Sequence, residues 1–175
     1  HRGRVVSHLL AVDPSLRGLG WAFFERGMLT HCGIVEGDSN KTTIEAVRGI
    51  RLDLVDALAS VKVYLPEVVL EFPRIYPKGR GQTDHVDPND LLWVAAVAGA
   101  VSTLGPSRIY YPSDWKGQSK KEKTLRLVLQ ACTPAERAVI EQVKGWKRHN
   151  AVDAVGIGMY HLKRIGKNLV KETFV

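Results

Sequence analysis

Ser7–Glu25, SHLLAVDPSLRGLGWAFFE, is the stretch on which the fold turns. The apolar run Leu9, Leu10, Ala11, Val12 reads as a core strand that ends in a single carboxylate, Asp13. Pro14 fixes φ after it, Gly18 and Gly20 are free to take positive φ, and a second strand follows over Gly20–Glu25. A carboxylate at the end of a buried strand is costly unless a cation compensates it. Two readings are open for Asp13: it closes the turn with its own side chain, or it is a metal ligand at the mouth of a sheet.

Working outward, Met28–Val35 continues an antiparallel meander after a turn at Arg26–Gly27. Ile44, Val47, Ile50, Leu54, Leu58 and Val61 recur in steps of three and four, which predicts a helix over Lys41–Tyr64 with this face on the sheet and a cap from residues 38–40. After Pro66, Glu67–Leu70 reads as a short buried strand ending in Glu71. Phe72–Pro88, rich in Pro, Gly and Arg, has no periodicity, and a loop beyond roughly 12–15 residues in a compact domain is often functional. Asn89–Leu104 is a predicted helix, Asn-capped and buried on most sides through residues such as Leu91, Leu92 and Val97; Arg108–Tyr111 is a strand closed by Pro112. Ser113–Lys123 is polar and basic, Lys123–Ala131 and Pro134–Val143 read as helices, and a last helix runs from Asn150 to Gly166. Strands separated by helices imply parallel pairing, so the expected architecture is one α/β domain over residues 1–175, a five-stranded mixed sheet with helices on both faces.

The composition bounds the function. The chain has 175 residues, 25 Lys and Arg against 18 Asp and Glu, and a net charge of +7, which points to a polyanionic partner such as nucleic acid. Cys32 and Cys132 have no metal-binding spacing and fit a reduced, intracellular compartment. No apolar run approaches the roughly 20 residues of a membrane helix, and no signal peptide is evident.

Three acids stand at element ends. In an open sheet with parallel neighbours, sites form beyond the carboxyl ends of the strands, so Asp13 and Glu71 meet there if strands one and four are adjacent. Asp153 is the third, on one helix face with His149 and Asn150, while Val152, Val155, Ile157 and Met159 form an opposite, apolar stripe. The competing reading of Asn150–Asp153 is a helix cap. Oxygen-only ligands suit Mg²⁺ or Mn²⁺ better than Zn²⁺, and two such ions about 3.5–4 Å apart promote phosphodiester hydrolysis. A basic chain with a carboxylate metal site is a nuclease candidate.

DPSLRGLGWA, VVLEFP, YYPSDWK at Tyr110–Lys116 and HNAVDAVGIGMYHL, in this order and spacing, resemble the RuvC-type Holliday junction resolvases of the ribonuclease H-like superfamily, from about residue 8 to 166. The resemblance implies a ribonuclease H-like fold and a Mg²⁺-dependent endonuclease, with Mn²⁺ as a substitute, that acts as a homodimer on four-way junctions and other branched DNA. It carries metal-ligand roles onto Asp13, Glu71 and Asp153, and a phosphate-contacting role onto Lys116. It also implies a cell interior with DNA, that of a bacterium or phage-infected cell, with a mitochondrion or plastid as the alternative. Asn150 stands where the family has Asp or His, and an amide is a weaker ligand. The departure leaves open a weakened second metal at Asn150, a shift of the role to His149, an engineered substitution, or a non-catalytic relative. Ser15 replaces the usual Gly.

Basic residues supply candidate DNA contacts: Lys116, Lys120, Lys121, Lys123 and Arg126; Arg74, Lys78 and Arg80, interleaved with Tyr76 as the expected aromatic wedge; and Lys147 and Arg148 at the last helix, beside Lys144. The lysine cluster is equally what a solvated helix start looks like. Trp21 and Trp93 read as core or dimer residues, and no function is read for Trp115 or Trp146. The competing functions are a nuclease on forks, flaps or RNA–DNA hybrids, a protein that binds junctions without cutting, and a sugar-kinase-like or actin-like ATPase. The last lacks a second half-domain and an adenosine-binding glycine pair.

Overall fold

The computed structural model of the chain describes residues 7–38, 40–61, 66–73, 88–117 and 121–166. Strands β1 (His8–Asp13), β2 (Leu19–Glu25), β3 (Met28–Val35), β4 (Glu67–Glu71) and β5 (Ser107–Tyr110) form a five-stranded sheet in the order β3-β2-β1-β4-β5. The β1–β2 and β2–β3 pairs are antiparallel, whereas β1–β4 and β4–β5 are parallel. Strand β1 is central, which explains its unbroken apolar run: Leu9 and Ala11 face one core layer and Leu10 and Val12 the other.

Helices α1 (Thr43–Ala59) and α2 (Pro88–Ser102) cover one face, with Ile50, Leu54, Leu58, Val97 and Val101 buried in its core. The opposite face carries α4 (Lys121–Ala131), α5 (Pro134–Gln142) and α6 (Arg148–His161), while α3 (Pro112–Trp115) is a single turn between β5 and α4. Among the described residues no helix is long and apolar enough to cross a membrane.

Several expectations need correcting. Helix α1 is capped at Thr42, not at residues 38–40: the Glu45 carboxylate accepts the Thr42 backbone N–H at 3.0 Å and its hydroxyl at 2.7 Å, while Asp38 accepts the N–H of Asn40. Ile44 is 75% exposed rather than on the sheet. Helix α2 begins at Pro88, whose missing N–H costs nothing at a first position, so Asn89 lies inside it. It buries only the stripe of Val97, Ala98 and Val101 and leaves Leu92 64% exposed, because it covers the sheet from one side. Helix α6 starts at Arg148, so Asn150 is within the helix and not its cap. It stops at His161, where Lys163 takes positive φ and the Arg164 N–H returns to Met159 O.

Close approach fixes α6 on the sheet. A Cβ on Gly158 would strike the ring of Phe24, and one on Gly156 would strike the ring of Trp115. Arg164 then turns back to pair with Glu136 on α5.

Candidate active site

Parallel pairing of β1 with β4, with Val12 opposite Leu70, delivers Asp13 and Glu71 side by side at the carboxyl edge of the sheet. Helix α6 packs across β1 and β2 and brings Asp153 to the same place; its charge is felt at both other acids. The fourth participant comes from α3. Pro112 opens that turn and the Tyr111 N–H donates to Asp114 Oδ2 at 2.8 Å, which aims Trp115 and Lys116 at the acids.

Trp115 is fully buried against Gly156 and donates its Nε1–H to Glu71 Oε2 at 2.8 Å. Lys116 Nζ lies 2.9 Å from Asp153 Oδ2 and 3.1 Å from Glu71 Oε2, with the Trp115 ring centroid 5.0 Å away. Sequence reasoning missed Trp115. Its only signal is an aromatic directly before the basic residue of the Tyr110–Lys116 segment.

The electrostatics follow from this packing. Burial raises the Asp13 carboxyl well above its ordinary range, the neighbouring Glu71 and Asp153 carboxylates raise it further, and Lys116 and Lys121 only partly oppose them. Glu71 is raised too, mainly by burial, with Lys116 and the Trp115 hydrogen bond pulling the other way. Burial disfavours a charged Lys116, but Glu71, Asp153 and Asp13 outweigh it and hold the ammonium above its usual range.

A divalent cation suits this donor set. Three carboxylates from three elements supply oxygen ligands, and the half-buried Asp13 carboxyl makes no hydrogen bond or ion pair to any described residue. As they stand, no group of three His, Cys, Asp or Glu among the described residues is gathered tightly enough to share one ion. Lys116 holds the place between Glu71 and Asp153.

The remaining predicted residues fall into three sets. Asn150 lies beside the site, but its Nδ2 donates to Gly18 O at 2.5 Å, leaving only the amide oxygen for a ligand. His149 Nδ1–H donates to the Trp146 carbonyl at 3.0 Å and its Nε2 accepts from Lys121 Nζ at 3.2 Å, so Lys121 and His149 line one rim, and Lys123 is half-buried on α4. Of Lys147 and Arg148, the expected DNA contacts at the last helix, Lys147 has side-chain partners within the chain. Lys147 Nζ donates to Arg17 O at 2.7 Å and pairs with Glu36 at 3.4 Å, and Arg148 buries an Nε with no hydrogen-bond partner among the described residues. Arg74, Tyr76, Lys78, Arg80 and Lys120 lie outside the described residues.

The sequence matches no family model and no curated protein. Solved structures share the fold. RuvC of T. thermophilus in complex with a Holliday junction substrate aligns with TM-score 0.54 and 14% identity, covering 92% of this chain and 99% of that one. A Thermus thermophilus RuvC structure aligns with TM-score 0.54, 16% identity and the same coverage. The five-stranded mixed sheet with helices on both faces is the ribonuclease H-like fold of RuvC, as the sequence resemblance implied.

Proposed function

We propose that this chain is a divalent-metal-dependent nuclease that cuts four-way DNA junctions. The observation that carries this reading is the convergence of Asp13, Glu71 and Asp153, from β1, β4 and α6, around Lys116 at the carboxyl edge of the sheet. The net charge of +7 and the RuvC–junction complex among its structural neighbours support DNA, and branched DNA, as the substrate class.

Asp13, Glu71 and Asp153 would hold Mg²⁺, or Mn²⁺ in its place, which when bound supplies an activated water and charge neutralisation at phosphorus. The chain's own residues do the rest. Trp115 fixes the Glu71 carboxylate through its Nε1–H, so that oxygen is oriented before any ligand arrives. Lys116 is a positive point charge next to both Glu71 and Asp153, suited to a phosphate oxygen or to the charge that develops on it. Lys121 and His149 extend the basic rim on which a DNA backbone would lie. Two copies, each nicking one strand, would give the symmetric cut that resolves a junction.

The test is cleavage of a synthetic four-way junction beside plain duplex, a flap and an RNA–DNA hybrid, with Mg²⁺, Mn²⁺ or EDTA and with Asp13→Asn as control. Paired symmetric nicks on the junction alone, lost with EDTA and in Asp13→Asn, are expected. Equal cutting of the flap or hybrid would move the substrate class, and cutting that survives EDTA would overturn the metal reading. The bridging of Glu71 and Asp153 by Lys116 favours a second reading, a protein that binds junctions without cutting them. Tight junction binding with no nicks under either metal would select it.

A further inference from the structure

We infer that Asn150 is a positioning residue and not a metal ligand: together with Lys147 it clasps the β1–β2 turn and so sets Asp13 against Asp153. The inference rests on the reading of those acids as a cation site.

Pairing of β1 with β2 begins at Asp13 and Gly20, so the turn that precedes Leu19 lies outside the ladder and needs other partners. Two consecutive carbonyls of that turn are taken up by two side chains from the start of α6. Lys147 Nζ donates to Arg17 O at 2.7 Å and Asn150 Nδ2 donates to Gly18 O at 2.5 Å. The Lys147 stem lies on Gly18, where a Cβ would stand 2.6 Å from its Cδ. Gly20, the residue directly opposite Asp13, lets the backbones touch: a Cβ there would run into the carbonyl of Asn150. Helix and turn are thus fixed by two donated hydrogen bonds and one backbone contact. Asp153 lies one turn further along the same helix.

Amide and carboxylate have the same shape at position 150, but only the amide can donate. An Asp there would set two acceptors face to face at Gly18 O, so the acid that the family resemblance calls for at this position would loosen the turn carrying Asp13 instead of adding a ligand.

The experiment measures thermal unfolding and Mn²⁺ titration calorimetry on the whole chain for the wild type, Asn150→Asp, Lys147→Met and the double variant. Asn150→Asp is expected to unfold about 3–8 °C lower and to bind Mn²⁺ no tighter than the wild type. Lys147→Met keeps the stem over Gly18 and removes only the donor; it weakens Mn²⁺ binding although Lys147 could not itself be a ligand, an effect that a purely structural role would not produce. Mn²⁺ bound about tenfold tighter by Asn150→Asp at unchanged Tm would overturn the inference. If the wild type takes up no Mn²⁺, the cation reading falls by itself, and the clasp is then judged on Tm: losses that are less than additive in the double variant sustain it, and strictly additive ones end it.

Discussion

Glu136 and Glu71 are two glutamates withdrawn from water, and the protein treats them in opposite ways. Glu136, 1% exposed, accepts the N–H groups of Leu29 and Thr133, each at 2.9 Å, and is gripped by both terminal nitrogens of Arg164, one of them at 2.7 Å. Burial alone would raise its carboxyl, but the Arg164 fork and the two backbone N–H groups bring it down to about 2. Arg164 also donates to the carbonyls of Gly27 and Ala131, so this one pair ties together the β2–β3 turn, the end of α4, the start of α5 and the chain beyond α6. Glu71 has one indole N–H and a share of one ammonium, with Asp153 adding repulsion, and its carboxyl stays raised. The first cluster is saturated with donors and holds the fold. The second is short of positive charge and keeps its carboxyls raised, which on the proposed reading is what a cation site needs, at a cost in stability.

The contrast is open to attack in three ways. Removing the fork should do the most damage: Arg164→Ala strands the Glu136 carboxylate and is expected to cost about 3–5 kcal/mol in urea unfolding at pH 7. A loss under about 1 kcal/mol would put the two clusters on a par. Asp13→Asn should act in the other direction, gaining on the order of 1 kcal/mol because it removes one of three repelling carboxylates, and, if the proposed function holds, eliminating cleavage. A destabilised Asp13→Asn would show that the acids are better compensated than their surroundings suggest. The smallest effect is in pH. Glu136 is lowered from an ordinary 4.5 to about 2, so its stabilisation is complete above pH 4.5 and is lost as pH falls toward 2. Asp13 and Glu71 are raised, so their contribution is largest below the ordinary carboxylate range and is lost as pH rises through their folded values. Urea midpoints should therefore hold or rise as the wild type is taken from pH 7 toward 5, then fall below 4.5. The early rise should shrink in Asp13→Asn, and the later fall should shrink in Glu136→Gln.

The sheet and its three acids were legible because they depend on where residues stand relative to element ends. Asp13 and Glu71 close apolar runs, and the one condition left open, that strands one and four be neighbours, is met by the parallel β1–β4 pairing. What stayed hidden depends on partners that local pattern does not register. Trp115 bonds a glutamate 44 positions earlier in the chain. The charge of Lys147 is visible in sequence and suggests a DNA contact, but its hydrogen bond to the carbonyl of Arg17 is not visible there, because a backbone acceptor has no letter. In sequence Asn150 reads as a weak metal ligand or a cap; the helix begins earlier, at Arg148, and the bond from the Asn150 amide to Gly18 O is one that local pattern does not show. The Ala- and Val-rich α2 carries too few polar residues to mark which side meets solvent, so Leu92 was placed inside when it lies outside.

Lys116, finally, is a built-in counter-ion. A domain that relies on a metal to neutralise its acids is unfolded until the metal arrives, as small zinc modules are. Here the ammonium bridging Glu71 and Asp153 travels with the polypeptide from synthesis onward, so the chain can fold and persist through metal scarcity. On the proposed reading, an arriving ion would have to compete with a tethered cation for the same oxygens. Occupancy would then be a contest decided by whatever draws the lysine away, and under the proposed function a DNA phosphate at the rim would do so.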